Sequence, residues 1–146
     1  MAIYESANAV ARQRLQRLIA HLDDDALARP LPHGWTVATA LAHMAFWDQR
    51  ALAALTSWEA HGIAPTAGDD TINAAVEALA QALPPRATVQ LALSSAEAVD
   101  GKIDHLAPDL VATIIAAGLE RFLYRARHRN EHLAELEQTM GLADAA

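Results

Sequence analysis

The chain has 146 residues, of which 53% are hydrophobic and 20% are charged, as expected for one globular domain that spans residues 1–146. Its formal net charge is −7, from 18 acidic and 11 basic side chains, so it lacks the basic surplus that neutralises nucleic-acid phosphates. Cysteine is absent, which excludes disulfides, cysteine nucleophiles and thiolate metal ligands. We therefore expect no nucleic-acid partner, and any metal ligands from the chain to be His, Asp or Glu.

The composition favours an all-α protein, because small helix-forming residues dominate and aromatic residues make up only 5%. The longest uncharged apolar stretch, residues 110–119, is shorter than the about 20 residues that span a bilayer. The first turns carry Glu5, Arg12 and Arg14 in place of an apolar signal-peptide core. We expect a cytoplasmic protein that does not associate with membranes.

Two long amphipathic helices are predicted in the first half of the chain, from apolar residues spaced three and four apart. The first is expected to end at the acidic run 23–25 and the Pro- and Gly-containing loop 30–34. Thr36 is the predicted cap of the second, which should end in the Gly- and Pro-rich segment 62–68. The predicted stripes are Ala7, Ala11, Leu15, Leu18 and Leu22, then Val37, Ala40, Met44, Trp47, Ala51, Leu55 and Trp58.

A short extra helix through Ile72, Val76 and Leu79 is predicted before the third long helix, which Pro84-Pro85 can begin. Pro108 is predicted to open the last helical segment, where the pattern allows Gly118 either to kink or to divide it. The stripes are Val89, Leu93, Ala96, Val99, Ile103 and Leu106, then Leu119, Phe122, Ala126, Leu133, Leu136 and Met140. Four long amphipathic helices in one short chain predict a four-helix bundle.

Three histidines lie at the borders of the predicted apolar stripes. His128 and His132 are four residues apart in the last helix and therefore one turn apart on one face. His43 lies beside the stripe of the second helix. Three neutral imidazoles with further positions open to solvent suit a first-row divalent ion such as zinc or nickel. Each histidine taken alone is better explained as a half-exposed or hydrogen-bonded structural residue.

Two motifs make the interpretation more specific. The segment 34–43, GWTVATALAH, resembles the G-W-[ST]-V-x-x-x-L-x-H motif of the DinB/YfiT-like superfamily, and 128–136, HRNEHLAEL, resembles its final-helix H-x-x-x-H-L-x-x-[IL] motif. The resemblance implies a DinB-like four-helix bundle, often a homodimer, that holds a divalent metal through His43, His128 and His132. It also implies a metal-dependent enzyme acting on a small molecule, because characterised relatives include hydrolases and transferases or isomerases that use mycothiol, bacillithiol or glutathione.

Two alternatives accompany this interpretation. His128-x-x-Glu131-His132 also matches an inverted zinc-protease pattern, but Glu131 is rotated about 100° from His132 on a helix, which favours a solvated glutamate. The alternative function is a non-catalytic, dimeric metal- or ligand-binding module of the stress response. A row of small residues on the second helix, Ala38, Ala42 and Ala45, is its predicted contact with a partner subunit.

Arg121, Arg125, His128 and His132 are spaced by four, three and four residues, which predicts one row along the last helix. This row is either a cationic lip that binds a substrate carboxylate or a solvated face paired with acidic residues. Tyr124 is predicted to donate a hydrogen bond beside His128, whereas Trp47 and Trp58 are predicted to be core residues. The candidate substrate-binding residues are Arg50, Arg121, Arg125, Trp35 and Tyr124.

Overall fold

The computed structural model describes residues 2–62, 64 and 70–142, and within them it contains α-helices, one 3-10 helix and no strand. The long helices are α1 (Ile3–Ile19), α3 (Val37–His61), α5 (Pro85–Asp104) and α7 (Arg125–Thr139). The shorter elements are α2 (Asp24–Ala28), α4 (Asp70–Ala82), α6 (Pro108–Ala116) and the 3-10 helix η1 (Glu120–Phe122). The predicted all-α bundle, with an extra helix before its third long helix, is confirmed. α3 ends at His61 with Gly62 as its C-cap, at the start of the predicted segment 62–68, whose positions 63 and 65–68 lie outside the described residues.

Side-chain caps begin two of the helices. Thr36 begins α3 as predicted, because its hydroxyl oxygen accepts from the backbone N–H of Thr39 at 3.1 Å. Asp23 begins α2 in the same way by accepting from Ala26 at 2.8 Å. The sequence pattern missed α2, because the acidic run 23–25 was interpreted only as the end of the preceding helix. In this structure the run supplies both a cap and two acidic residues in the first turn.

Gly118 divides the last helical segment. It has a φ of +70°, in the left-handed region that glycine adopts without strain, and it follows the end of α6. Leu119 and Phe122 therefore precede α7 and do not belong to its apolar stripe. Both pack instead in an apolar cluster with Leu55 and Ile103.

The start of α7 is capped by a residue of α1. Tyr124 occupies the cap position but makes no capping hydrogen bond through its side chain. The Asn8 amide oxygen accepts from the backbone N–H of Ala126 at 2.7 Å, and its amide nitrogen donates to the carbonyl oxygen of Leu123 at 2.8 Å. Asn8 is only 2% exposed, so this cap is part of the interior. It fixes the end of α7 that precedes the histidines.

Two apolar clusters fill the bundle at successive levels of α3. The first includes Leu41 and Met44, and the second begins at Ala51 and continues to Trp58, a core residue as predicted. Asp48 lies between these levels and is 2% exposed. A charged residue is therefore buried where the two apolar clusters meet.

The row of small residues on α3 is buried inside the bundle. Ala38, Ala42 and Ala45 are at most 5% exposed, and α3 packs mainly against α5. These alanines are therefore covered by the chain itself and do not form the exposed contact predicted for a partner subunit. None of the helices in the described residues combines the length and the apolar character needed to cross a bilayer.

Candidate metal centre

Three imidazole nitrogens converge where α3 passes α7. Nε2 of His128 lies 3.3 Å from Nε2 of His43 and 3.2 Å from Nε2 of His132. The candidate ligand atoms of the three residues all lie within 4.8 Å of one another. The i, i+4 spacing on α7 places two of the rings together, and the packing of α3 supplies the third. The structure thus brings together the three histidines that the sequence singled out.

The spacing of these nitrogens fits a single metal ion. Zinc–nitrogen bonds of about 2.0–2.1 Å at angles of about 90–110° separate two ligand nitrogens by about 2.8–3.4 Å. The two Nε2 separations at His128, 3.2 and 3.3 Å, fall within this range. Three imidazoles are also a donor set that first-row divalent ions favour. The residues present therefore fit a divalent transition metal.

Burial keeps the imidazoles in the neutral form that binds metals. Desolvation, with repulsion from His132, lowers the pKa of His43 to about 4. Desolvation and the surrounding positive charges lower the pKa of His128 to about 2. Burial also lowers the pKa of His132, although Glu131 and Glu135 act in the opposite direction. At neutral pH the cluster offers lone pairs and little charge.

The other ring nitrogen of His128, Nδ1, is buried without a hydrogen-bond partner. In metal sites this second nitrogen usually donates to a carbonyl, carboxylate or water. The sequence predicted Tyr124 as a donor beside His128, and this is wrong, since no hydrogen bond from Tyr124 reaches that nitrogen. Tyr124 instead packs under the Arg127 guanidinium, whose carbon lies 4.6 Å from the ring centroid.

Two indoles flank the imidazole cluster. The Trp35 ring centroid lies 4.9 Å from that of His43 and 6.4 Å from that of His132, with the second pair stacked. Trp47 lies 6.3 Å from both His43 and His128. Trp47 is half-buried and faces a cavity, so its prediction as a core residue is wrong. Trp35, a candidate substrate-binding residue, packs on the imidazoles and is not among the residues that line that cavity.

The loop 30–36 holds Trp35 against the cluster. The backbone N–H of Leu31 donates to the Trp35 carbonyl at 2.7 Å. His33 packs edge-on against the Trp35 ring, with centroids 5.0 Å apart, and its Nε2 lies 2.9 Å from a Glu135 carboxylate oxygen on α7. This contact ties the loop to the helix that carries His128 and His132.

A cavity of about 370 Å³ opens beside His43 and His128. Among the described residues that line it are four arginines and one acid: Arg50, Arg121, Arg125, Arg127 and Glu131. Trp47, Phe122 and Tyr124 provide its aromatic walls. Burial lowers the pKa of Arg50, and the charges of Arg121 and Arg125 lower it further, which shows how closely these cations are grouped. The cavity is therefore strongly cationic.

The predicted row of cations along the last helix does not form. Arg121 lies on η1, so only Arg125, His128 and His132 of that row belong to α7. Arg125 is 6% exposed, in contrast to the expected lip or solvated face. Its Nε donates to the Asp48 carboxylate at 2.9 Å and its Nη1 to the Arg121 carbonyl at 3.1 Å. Its Nη2 is buried without a partner.

Next to His128 in the chain, Arg129 is fully buried, at 0% exposed. Its Nε donates to Asp48 at 2.9 Å, and its Nη1 and Nη2 donate to the two oxygens of Asp100 at 2.9 and 2.8 Å. Longer contacts of 3.4 Å reach the carbonyls of Asn8 and Ala96. One guanidinium therefore joins α7 to α1, α3 and α5.

We call this set of buried and partly buried groups the polar layer; its members are Asn8, Arg12, Asp48, Asp100, Arg125 and Arg129. Burial lowers the pKa of Arg129, but the Asp48 charge and the Asp100 hydrogen bonds and charge outweigh it, so that pKa is raised. Sequence reasoning missed this layer. A signal existed, since Asp48 stands four residues after Met44 and three before Ala51, within the apolar stripe.

A comparison with protein families matches residues 9–135 to the family described as the mycothiol maleylpyruvate isomerase N-terminal domain. The matched range contains all three histidines, the arginines of the cavity and the charged residues of the polar layer. Searches of curated proteins and of solved structures found no match.

Proposed function

Because the chain belongs to the mycothiol maleylpyruvate isomerase N-terminal domain family, a helical member of the DinB/YfiT-like superfamily, we propose that it is a metal-dependent enzyme. The proposed reaction is a transfer or isomerisation that uses a low-molecular-weight thiol and a small-molecule substrate. The single observation that carries the proposal is the position of the three-histidine cluster at the edge of a cationic cavity. The chain has no cysteine, so the thiol must come from a cosubstrate.

The three histidines would hold a divalent transition metal, with zinc or nickel as the expected ions. The chemistry supplied by such an ion is Lewis acidity, which lowers the pKa of a thiol or water. The contribution of the chain is to keep His43 and His128 neutral through burial, so that protons do not compete for Nε2 near neutral pH. Because none of the three side chains is an acid, the site favours an anionic fourth partner, such as a thiolate.

The arginines beside the cluster would bind an anionic group of the substrate. Arg125 lines the cavity with its Nε fixed by Asp48, and its buried Nη2, which has no partner, would have to be uncovered to reach an anion. Arg50 lies over the rings of Trp47 and Phe122, at 5.3 and 5.4 Å from their centroids, and Arg121 lies over Phe122 at 4.9 Å. These contacts hold the planar cations against the cavity wall, where they can face a substrate carboxylate.

The two remaining candidates would shape the site. Tyr124 forms part of the cavity wall near Arg127. Trp35 covers the rings of His43 and His132 and would limit the access of water to them. Replacing Trp35 with Ala is expected to increase metal loss to a chelator without unfolding the bundle.

Metal content is the first test. Tag-free protein is incubated with zinc, nickel or manganese, desalted and measured by plasma mass spectrometry beside His43→Ala and His132→Ala. We expect about one equivalent of metal per chain in the wild type and a loss in both variants. His105→Ala is the matched control, because His105 is exposed, its ring contacts only the Gly101 carbonyl among the described hydrogen bonds, and its loss should leave the metal content unchanged. Circular dichroism must show equal helix content throughout.

The reaction is tested with the metal-loaded protein. Mycothiol, bacillithiol and glutathione are each offered with an electrophilic acceptor and with a cis-unsaturated keto acid. Thiol-dependent turnover that His43→Ala abolishes supports the proposal. Cleavage of an ester or amide without a thiol would replace it with a hydrolase. Metal binding with no turnover favours the non-catalytic module, for which light scattering is expected to show the proposed homodimer.

A further inference from the structure

Asp48 and His43 belong to one helix and meet the same stretch of α7. The chain directions are antiparallel, because His43 contacts His128 and His132 whereas Asp48, five residues later, contacts Arg125 and Arg129. Five residues correspond to about 7.5 Å along a helix. The metal centre and the Asp48 contacts are therefore consecutive levels of a single helix–helix junction.

The Asp48 carboxylate uses both oxygens at this junction. Oδ1 accepts from Arg125 Nε and Oδ2 accepts from Arg129 Nε, each at 2.9 Å. Asp48 is 2% exposed, so these bonds form away from solvent, where charged hydrogen bonds are strong and directional. Two bonds to residues four apart on α7 restrict both its rotation and its sliding against α3.

The imidazoles do not supply this restraint themselves. Nδ1 of His128 has no hydrogen-bond partner among the described residues, and Nε2 of His128 contacts only the other two imidazoles. Three neutral rings of this kind attract one another weakly before a ligand arrives. The separation of 3.3 Å between His43 and His128 must therefore be set by the packing around them.

We propose that Asp48 is a positioning residue for the metal centre: through Arg129 and Arg125 it fixes the register of α7 against α3 that brings His43 to His128 and His132. This rests on the proposed function in that it takes the three histidines as metal ligands. The alignment of the three imidazole rings can be measured whether or not the protein catalyses a reaction.

The matched test compares Asp48→Asn with Asp100→Asn. Both aspartates are 2% exposed, both accept from Arg129, and both substitutions remove one negative charge at nearly constant volume. They differ in that Asp48 lies on α3, which carries His43, whereas Asp100 lies on α5, which carries none of the three histidines. A general loss of stability or of negative charge is thus common to both variants.

Cobalt is the probe, because its visible absorption reports ligand geometry as well as binding. At a temperature where both variants are fully folded by circular dichroism, we expect Asp48→Asn to weaken Co²⁺ binding about tenfold or more and to change the spectrum. Asp100→Asn should keep the wild-type spectrum and bind within about threefold. Equal losses and equal spectra in the two variants would overturn the proposal.

Crystal structures of the metal-free wild type and both variants provide the second readout. We expect the Nε2 separation of His43 and His128 to stay near 3.3 Å in the wild type and Asp100→Asn and to exceed 4.8 Å in Asp48→Asn. An unchanged separation in Asp48→Asn would overturn the positioning role. If the wild type binds no cobalt, the proposed function fails, while this separation still decides the role of Asp48.

Discussion

His128 and Arg129 are neighbours in the chain, yet they belong to regions with opposite properties. His128 lies in the imidazole cluster, where burial lowers its pKa to about 2 and its Nδ1 has no partner. Arg129 lies in the polar layer, where aspartates on two other helices raise its pKa. The difference arises from the adjacent helices, since α3 presents His43 to one residue and Asp48 to the other.

Buried polar groups have different roles in the polar layer and in the imidazole cluster. In the polar layer each charge meets an opposite charge with good geometry, so the layer stabilises one arrangement of the helices. In the imidazole cluster, three neutral bases face one another. A bound cation would be their positively charged partner. A region of arginine–aspartate pairs therefore holds a cluster of neutral bases in place, an arrangement expected of a preorganised binding site. The predictions below test whether the two regions differ as described.

The largest effect is expected in the polar layer from Arg129→Met, which keeps the aliphatic volume and removes the charge. Asp48 and Asp100 would remain buried without their shared partner, so the free energy of unfolding should fall by about 3–5 kcal/mol. Urea unfolding at pH 7 measures this fall in the free energy of unfolding. Arg86→Met is the control, since Arg86 and Asp24 form an exposed pair, and its effect should stay within about 1 kcal/mol. Similar losses in both variants would contradict a special role of the layer.

The next effect concerns Asn8, which joins the polar layer to the start of α7. Asn8→Ala removes the cap on Ala126 and the hydrogen bond to the Leu123 carbonyl, so we expect a loss of about 1–3 kcal/mol in the free energy of unfolding. Ser6→Ala, at an exposed position of the same helix, should cost less than about 0.5 kcal/mol. Faster amide hydrogen exchange at the start of α7 would be the specific sign, and its absence would argue against the capping role.

The imidazole cluster should instead make the metal-free protein sensitive to acid. The folded pKa of His43 is lowered to about 4, so between about pH 6.5 and 4 the unfolded chain binds protons that the folded chain does not. Stability from this residue is present above about pH 6.5 and declines as the pH falls through that window. Urea midpoints from pH 7.5 to 4.5 should show this decline, and a His43→Gln, His128→Gln double variant should flatten it. An equally steep decline in the double variant would assign the effect to other groups.

The smallest effect is expected from His128→Leu in the metal-free protein at pH 7. Leucine removes a buried nitrogen without a partner and fills the site with an apolar side chain, so the free energy of unfolding should change by less than about 1 kcal/mol. Metal binding should nevertheless be lost. A destabilisation as large as that of Arg129→Met would show that the cluster, like the layer, supports the fold.

The sequence predicted the cluster far better than the layer. His128 and His132 are linked by helical periodicity, and the motif that ends at His43 identified the third residue, so the relevant spacing was local or matched a known pattern. Arg129 pairs with Asp48 and Asp100, which are 81 and 29 residues away, and only the packing of the helices shows that they meet. A lone charge within an apolar stripe does not reveal its partner.

The sequence also did not determine whether the last helical segment is kinked or divided at Gly118. Both a kink and a break are compatible with Gly118, because glycine tolerates helical and left-handed backbone conformations alike. The break displaced Arg121 from the face of Arg125 and His128, and so the predicted cationic row became a cavity lined from several elements. The spacing of nearby residues predicted the helical pieces on either side of Gly118 but not the direction of the chain between them.

The position of Arg129 also has a consequence for folding. Its guanidinium is dehydrated in the native bundle, and its charge partners are carried by α3 and α5, with a further acceptor on α1. A partly assembled form of two or three helices would either bury this charge with too few partners or leave its site open to water, and both cost free energy. The bundle should therefore assemble in one cooperative transition, in which no subset of its long helices is stable alone.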